Sequence, residues 1–115
     1  MNIASSTIAF DCGNAAKLAQ FWSAVLSQPA GAGSPEEFAS LERGGAAPGM
    51  IFCKVPEPHT AKNRVHLDLT AAALDDQVDR TVAPGARQVA RFDQDSSRWV
   101  TLADPDGNAF DLIAA

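Results

Sequence analysis

At 115 residues the chain is long enough for one domain with a buried core, and 46% hydrophobic against 20% charged residues is an ordinary globular balance. A net charge of -5, with no two Lys or Arg adjacent, argues against a nucleic-acid or anionic-membrane partner, either of which needs basic clusters. Cys12 and Cys53 lack CxxC spacing, and there is no signal peptide or long apolar run, so reduced thiols in a cytoplasmic protein are expected.

Residues 3–12 read as a first strand, with Ile8 and Phe10 on one side and Thr7 and Asp11 on the other. Gly13 breaks it, and Asn14 is suited to cap a helix beginning at Ala15. From Ala15 to Ser27 the residues Leu18, Phe21, Trp22, Val25 and Leu26 recur at helical spacing, which predicts an amphipathic helix with a broad apolar stripe. Pro29 to Gly33 ends it. Phe38 to Arg43 is expected to form a short strand before a Gly44-Gly45 turn, and Met50 to Val55 a clearer one, closed by Pro56-Glu57-Pro58.

The second half repeats this plan. In Arg64 to Thr70, Val65, Leu67 and Leu69 alternate with His66, Asp68 and Thr70, the period of a strand with one apolar face. A basic corner, Lys62-Asn63-Arg64, precedes it, and Asp68 is expected to pair with Arg64. Leu74, Val78 and Val82 mark a helix with Asp75 and Asp76 in its first turn, and Asp76 can pair with Arg80. Pro84-Gly85 stops that helix. Strands are expected over Gln88–Phe92, Arg98–Leu102 and Ala109–Ile113, with a tight turn at Asp104-Pro105-Asp106-Gly107-Asn108. Each half is thus strand, helix and about three strands. The domain reading is a single domain, 1–115, with one module over about 1–55, a linker at 56–63 and a second module over about 64–115.

Three segments carry a family resemblance. Asp104-Pro105-Asp106-Gly107-Asn108-Ala109-Phe110-Asp111-Leu112 resembles the closing motif of the vicinal-oxygen-chelate superfamily, which includes glyoxalases, bleomycin-resistance proteins and extradiol dioxygenases. Val55-Pro56-Glu57-Pro58 with Lys62 to Leu69, and Asp11 to Asn14 with Leu18 and Phe21-Trp22, are similar to its glyoxalase-like branch. The resemblance implies an α+β fold of two βαβββ modules whose curled mixed sheets surround a common cleft, usually in a homodimer. It also implies four ligand positions on the first and last strands of the modules. Here these fall on Thr7, where His is usual, on about Cys53 (or Phe52), on His66, and on Asp111, where Glu is usual.

One imidazole and one carboxylate survive from that set, so no complete metal site and no cofactor are expected. If a divalent metal binds, His66, Asp111 and a Cys53 thiolate are its donors. Each residue also has a plainer reading. His66 is read as an interior hydrogen-bonded histidine, a ligand contact or a metal donor; Asp111 as facing the cleft or solvent; Cys53 as a small core residue. Trp99 is read as core or as a surface for stacking a ligand, and Arg64 as a solvated corner or an anion anchor.

Three functions compete. The favoured one is a small-molecule-binding protein without a complete metal site, its ligand held in the cleft by Thr7, Cys53, His66, Asp111, Trp99 and Arg64. The net negative charge suits a cationic ligand. The alternative is a metal-dependent lyase, isomerase or dioxygenase of glyoxalase type using His66 and Asp111, the latter as a proton shuttle. The third is a partner-binding module.

Overall fold

The apolar stripe after Asn14 becomes helix α1 (Ala15–Leu26) in the computed structural model, which describes residues 2–4, 7–31, 35–44 and 48–115. Asn14 is extended, and its Oδ1 accepts the Lys17 N–H at 3.1 Å, the side-chain cap expected of it. Ser27, at φ 54°, ends the helix. Against α1 lie β1 (Thr7–Cys12), β2 (Phe38–Leu41) and β3 (Gly49–Lys54), in the order β1-β3-β2. β1 runs parallel to β3 and β2 antiparallel to it. Alternation then sorts the side chains. Phe10, Cys12, Met50 and Phe52 share one face, where Phe10 lies 6.0 Å from Trp22 and 5.4 Å from Phe52 between ring centroids. Thr7, Ala9, Asp11, Ile51 and Cys53 share the other, more open one.

This first unit, Met1–Pro58, departs from the expected plan. Among the described residues two strands follow the helix, not three, and the third survives as a single bridge between Ala30 and Leu41. Around that bridge the Gly31 N–H donates to Ser40 O at 2.8 Å and the Glu42 N–H to Pro29 O at 3.3 Å, while Pro29 itself has no N–H to give. β1 begins at Thr7, later than Ile3. The predicted ends at Gly33 and Gly45 lie outside the described residues. Cys12 and Cys53 remain thiols, with Cys12 Sγ 3.6 Å from the Cys53 carbonyl oxygen.

The second unit, His59–Ala115, holds β4 (Leu67–Ala71), α2 (Leu74–Val82), β5 (Arg87–Gln94), β6 (Ser97–Ala103) and β7 (Ala109–Ala114). Its sheet order is β4-β7-β6-β5, with β4 and β7 parallel and the other pairs antiparallel. The last strand in sequence is therefore interior in the sheet. Leu69, Leu112 and Val100 share one face, as do Leu67, Phe110 and Leu102, and Val100, Leu102, Phe110 and Leu112 are buried, as are Leu74 and Val78 of α2. Asp75 and Asp76 sit in the first turn of α2 as expected. The expected Asp76–Arg80 pair is not among the ion pairs of the described residues. Asp75 instead reaches Arg91 of β5 at 2.7 Å, which ties the helix to the edge strand.

Asp104 to Asn108 forms the tight turn its residues predict. The buried Asp104 Oδ1 accepts the N–H groups of Asp106 and Asn108 at 3.0 and 2.9 Å, and the Asn108 amide reaches both carboxylate oxygens. Gly107, at φ 92°, supplies the conformation side chains resist.

The His66 strand starts later than its alternation suggests. β4 opens at Leu67, Arg64 and Val65 form a bend, and Val65 is 80% exposed. Asn63 gives the reason. Its side chain, and not the backbone of residues 64–66, takes the first N–H of β7, that of Ala109, at 2.9 Å.

Candidate ligand site on the second sheet

Asp68 and Asp111 are partners across β4 and β7, and Asp111 and Thr101 are partners across β7 and β6. Asp68, Asp111 and Thr101 therefore form one row on the sheet face opposite Phe110 and Leu112. The row is wired together. Thr101 Oγ1 donates to Asp111 Oδ1 at 2.6 Å, which leaves Oδ2 for the imidazole. His66 Nε2 lies 3.5 Å from that Oδ2 and 3.1 Å from Asp68 Oδ1. The Asp111 side chain is 17% exposed, against 50% for His66 and 57% for Asp68, so Asp111 is the anchored member.

The next row on this face is apolar. Ile113 pairs with Thr70 and Trp99, and Trp99 with Phe92, two residues or roughly 7 Å along the strands from the acidic row. Phe92 and Trp99 stack, with ring centroids 4.9 Å apart and planes at 17°. One face thus offers two carboxylates at one level and two aromatic rings at the next. Both Trp99 and Ile113 are half-buried.

The donor chemistry fits a divalent cation. One imidazole nitrogen and two carboxylate oxygens lie within 4.8 Å of one another. Nitrogen and oxygen donors of this kind suit manganese, iron(II) or zinc.

His66 and Asp111 are thus brought together, and Trp99 shares their face. Asp68, which the sequence pattern pairs with Arg64, turns to His66; the signal for it is the alternation that puts residues two apart on one side. Arg64 sits in the exposed bend with no ion pair among the described residues. Within the second unit Asp68 joins His66 and Asp111 as a third donor. Cys53 and Thr7 belong to the first unit, where they do not meet. Thr7 pairs with Gly49, while Cys53 pairs with Asp11, four residues or roughly 13 Å further along the strands.

Register also relocates the second of the implied ligand positions. Thr7 and His66 each stand eight residues before the first residue of the following helix. By the same measure Asp68 corresponds to Ala9, whose partner on β3 is Ile51. The counterpart of Asp111 is therefore Ile51, not Cys53 or Phe52. At these positions the first unit carries Thr7, Ala9 and Ile51 in place of the donors.

The model of the glyoxalase-like domain family matches residues 7–113. No curated protein matches the chain. Several solved structures share its fold. A glyoxalase/bleomycin resistance protein/dioxygenase family enzyme from Burkholderia phytofirmans has 17% identity, with a TM-score of 0.76 over 95% of this chain and 96% of its own. A fosfomycin resistance protein, FosX, from Listeria monocytogenes has 14% identity and a TM-score of 0.78 over 100% and 95%. A variant of that Listeria protein, 15% identical with a TM-score of 0.76 over 97% and 90%, was crystallised with Mn(II) and a dihydroxypropylphosphonic acid. These likenesses show the fold: sheets of three and four strands with two helices, α+β, the glyoxalase/bleomycin-resistance architecture. With its family model matched from the first strand to the last, the chain belongs to the glyoxalase-like family of the vicinal-oxygen-chelate superfamily.

Proposed function

We propose that the chain binds a small cationic molecule with an aromatic or otherwise planar part on the second sheet, without a complete metal site. The observation that carries this is one face bearing Asp68 and Asp111 in one row and the Phe92–Trp99 stack in the next. Carboxylates hold a cationic head by charge-assisted bonds, and rings hold a flat body by stacking. The net charge of -5 favours encounter with such a ligand. Homodimerisation and a cytoplasmic location are part of this proposal. Dimerisation is expected to appear as a melting temperature that rises with protein concentration, and a concentration-independent melt at monomer mass would count against it.

A second reading rests on the convergence of His66, Asp68 and Asp111. In it these three hold a divalent cation, and the chain is a glyoxalase-type lyase, isomerase or dioxygenase. When bound, such a cation supplies Lewis-acid polarisation of substrate oxygens. Thr101 holds Asp111 in place through Oδ1, which leaves Asp111 Oδ2, beside His66 Nε2, as the atom that would meet the cation.

One titration separates the readings. Tryptophan emission, from Trp22 and Trp99 together, is followed while a planar cationic dye is added to chelator-treated protein, and melting temperature is followed while manganese or zinc chloride is added. The binder reading expects saturable quenching in the presence of chelator, weakened about 10–100-fold by Asp111→Asn, the worth of one charge-assisted bond. Metal stabilisation lost in His66→Ala and Asp68→Asn, with quenching only once metal is present, supports the enzyme. Neither signal would sink both.

A further inference from the structure

His66 is the one member of the triad that no ladder holds: β4 begins one residue after it, and the two residues before it form an exposed bend. Asp68 and Asp111, by contrast, are fixed by the Leu67–Phe110 to Ala71–Ala114 register. An exposed imidazole in coil has no intrinsic reason to stay 3.5 Å from Asp111.

The restraint comes from three residues upstream. Asn63 Oδ1 accepts the Ala109 N–H at 2.9 Å, and Asn63 Nδ2 donates to Asn108 Oδ1 at 3.4 Å. Ala109 is the residue just before Phe110, the partner of Leu67. The Arg64–His66 segment is therefore closed at both ends onto consecutive residues of β7. Asn108 is in turn held by the buried Asp104 carboxylate. Asp104, Asn108 and Asn63 form a chain of side chains from the turn to the loop that carries the imidazole.

We propose that Asn63 is the positioning residue of the site: by clamping the start of the loop to Ala109 and Asn108 it sets His66 against Asp68 and Asp111. This rests on the reading that His66 serves a site on this face, but it concerns the ligand-free chain, so a failed ligand or metal screen leaves its test intact. Asn63 touches no ligand in this account. A short loop with both ends fixed samples few conformations, and releasing one end lets the ring swing.

The test is nuclear Overhauser contact between the His66 ring protons and the β-protons of Asp68 and Asp111, in the full chain without added metal. The chain has two histidines, and His66→Gln assigns the signals. In Asn63→Ala these contacts are expected to vanish while the amide signals of β6 and β7 keep their positions. Asn63→Asp, which keeps the acceptor for Ala109 but loses the donor to Asn108, is expected to weaken them less than Asn63→Ala does. A role confined to stability would lower the melting temperature without loosening the ring. Persistence of the ring contacts in folded Asn63→Ala overturns the proposal. Should Asn63→Ala not fold, hydrogen exchange of the Ala109 amide in the unaltered chain decides. Protection well above that of an unbonded amide is expected, and free exchange overturns the clamp.

Discussion

Replacing Asp104 with alanine is expected to lower stability by about 3–5 kcal/mol, read as a fall in the urea midpoint with an unchanged slope. The side chain is 4% exposed and accepts from two backbone N–H groups and from the Asn108 amide. Bonds to a charged acceptor are worth about 1.5–3 kcal/mol each, and their loss leaves three donors unpaired in a half-buried turn. The bonds act together, so the sum is well below the total of the parts. Asp104→Asn keeps one oxygen for the backbone donors and is expected to cost about 1–2 kcal/mol. A midpoint for Asp104→Ala within experimental error of the unaltered chain would show that the turn stands on Pro105 and Gly107 alone. Because β7 comes directly after this turn, the alanine variant is also expected to disturb the Asp111 register.

In the first unit the largest effect belongs to Trp22. Trp22→Ala is expected to cost about 3–5 kcal/mol, the range for emptying a buried aromatic site. The ring is 1% exposed, meets Phe21 edge-on at 5.2 Å and lies 6.0 Å from Phe10. Phe10 is held on β1 by its pairing with β3, and Phe21 by the helix itself, so neither ring can fold into the space left behind and the cavity persists. Trp22→Phe fills most of that space and is expected to cost less than half as much. The chain has two tryptophans, so in either variant the remaining emission reports Trp99 and the second sheet. An alanine variant that melts with the unaltered chain would mean that the Phe10–Trp22–Phe52 group is not the core of its unit.

How much of this is legible in the sequence depends on what alternation and helical spacing can encode. The stripe from Leu18 to Leu26 and the Asn14 cap predict α1 because burial and capping are local properties. The strands around Asp104 to Asn108 are legible for the same reason. Alternation assigns faces but does not say where a ladder begins. It therefore places His66 inside β4, when a side-chain bond from Asn63 ends the pairing one residue later. It pairs Asp68 with Arg64, whereas the bend turns Arg64 away and His66 lies nearer. The second ligand position falls on Cys53 because counting along one strand cannot fix its register with another; the parallel pairing puts Ile51 there. The third strand of the first half is expected from the repeat, and among the described residues only the bridge between Ala30 and Leu41 answers to it. The family resemblance recovers the fold, while the partners of His66 emerge only from geometry.

In each unit the first and last strands are parallel neighbours, and their paired residues stand more than forty positions apart. Contacts that distant in sequence form slowly, since a long loop must close before any bond repays it. β5 and β6 can join early as a hairpin, whereas β4 has no neighbour until β7 has been made. The row of Asp68, Asp111 and Thr101 is thus among the last features of its sheet to come into being. Until then β4 and β6 each present an unsatisfied edge, to which the matching β7 of another copy is as well suited as its own. The strand that completes the site is also the one most open to exchange between chains.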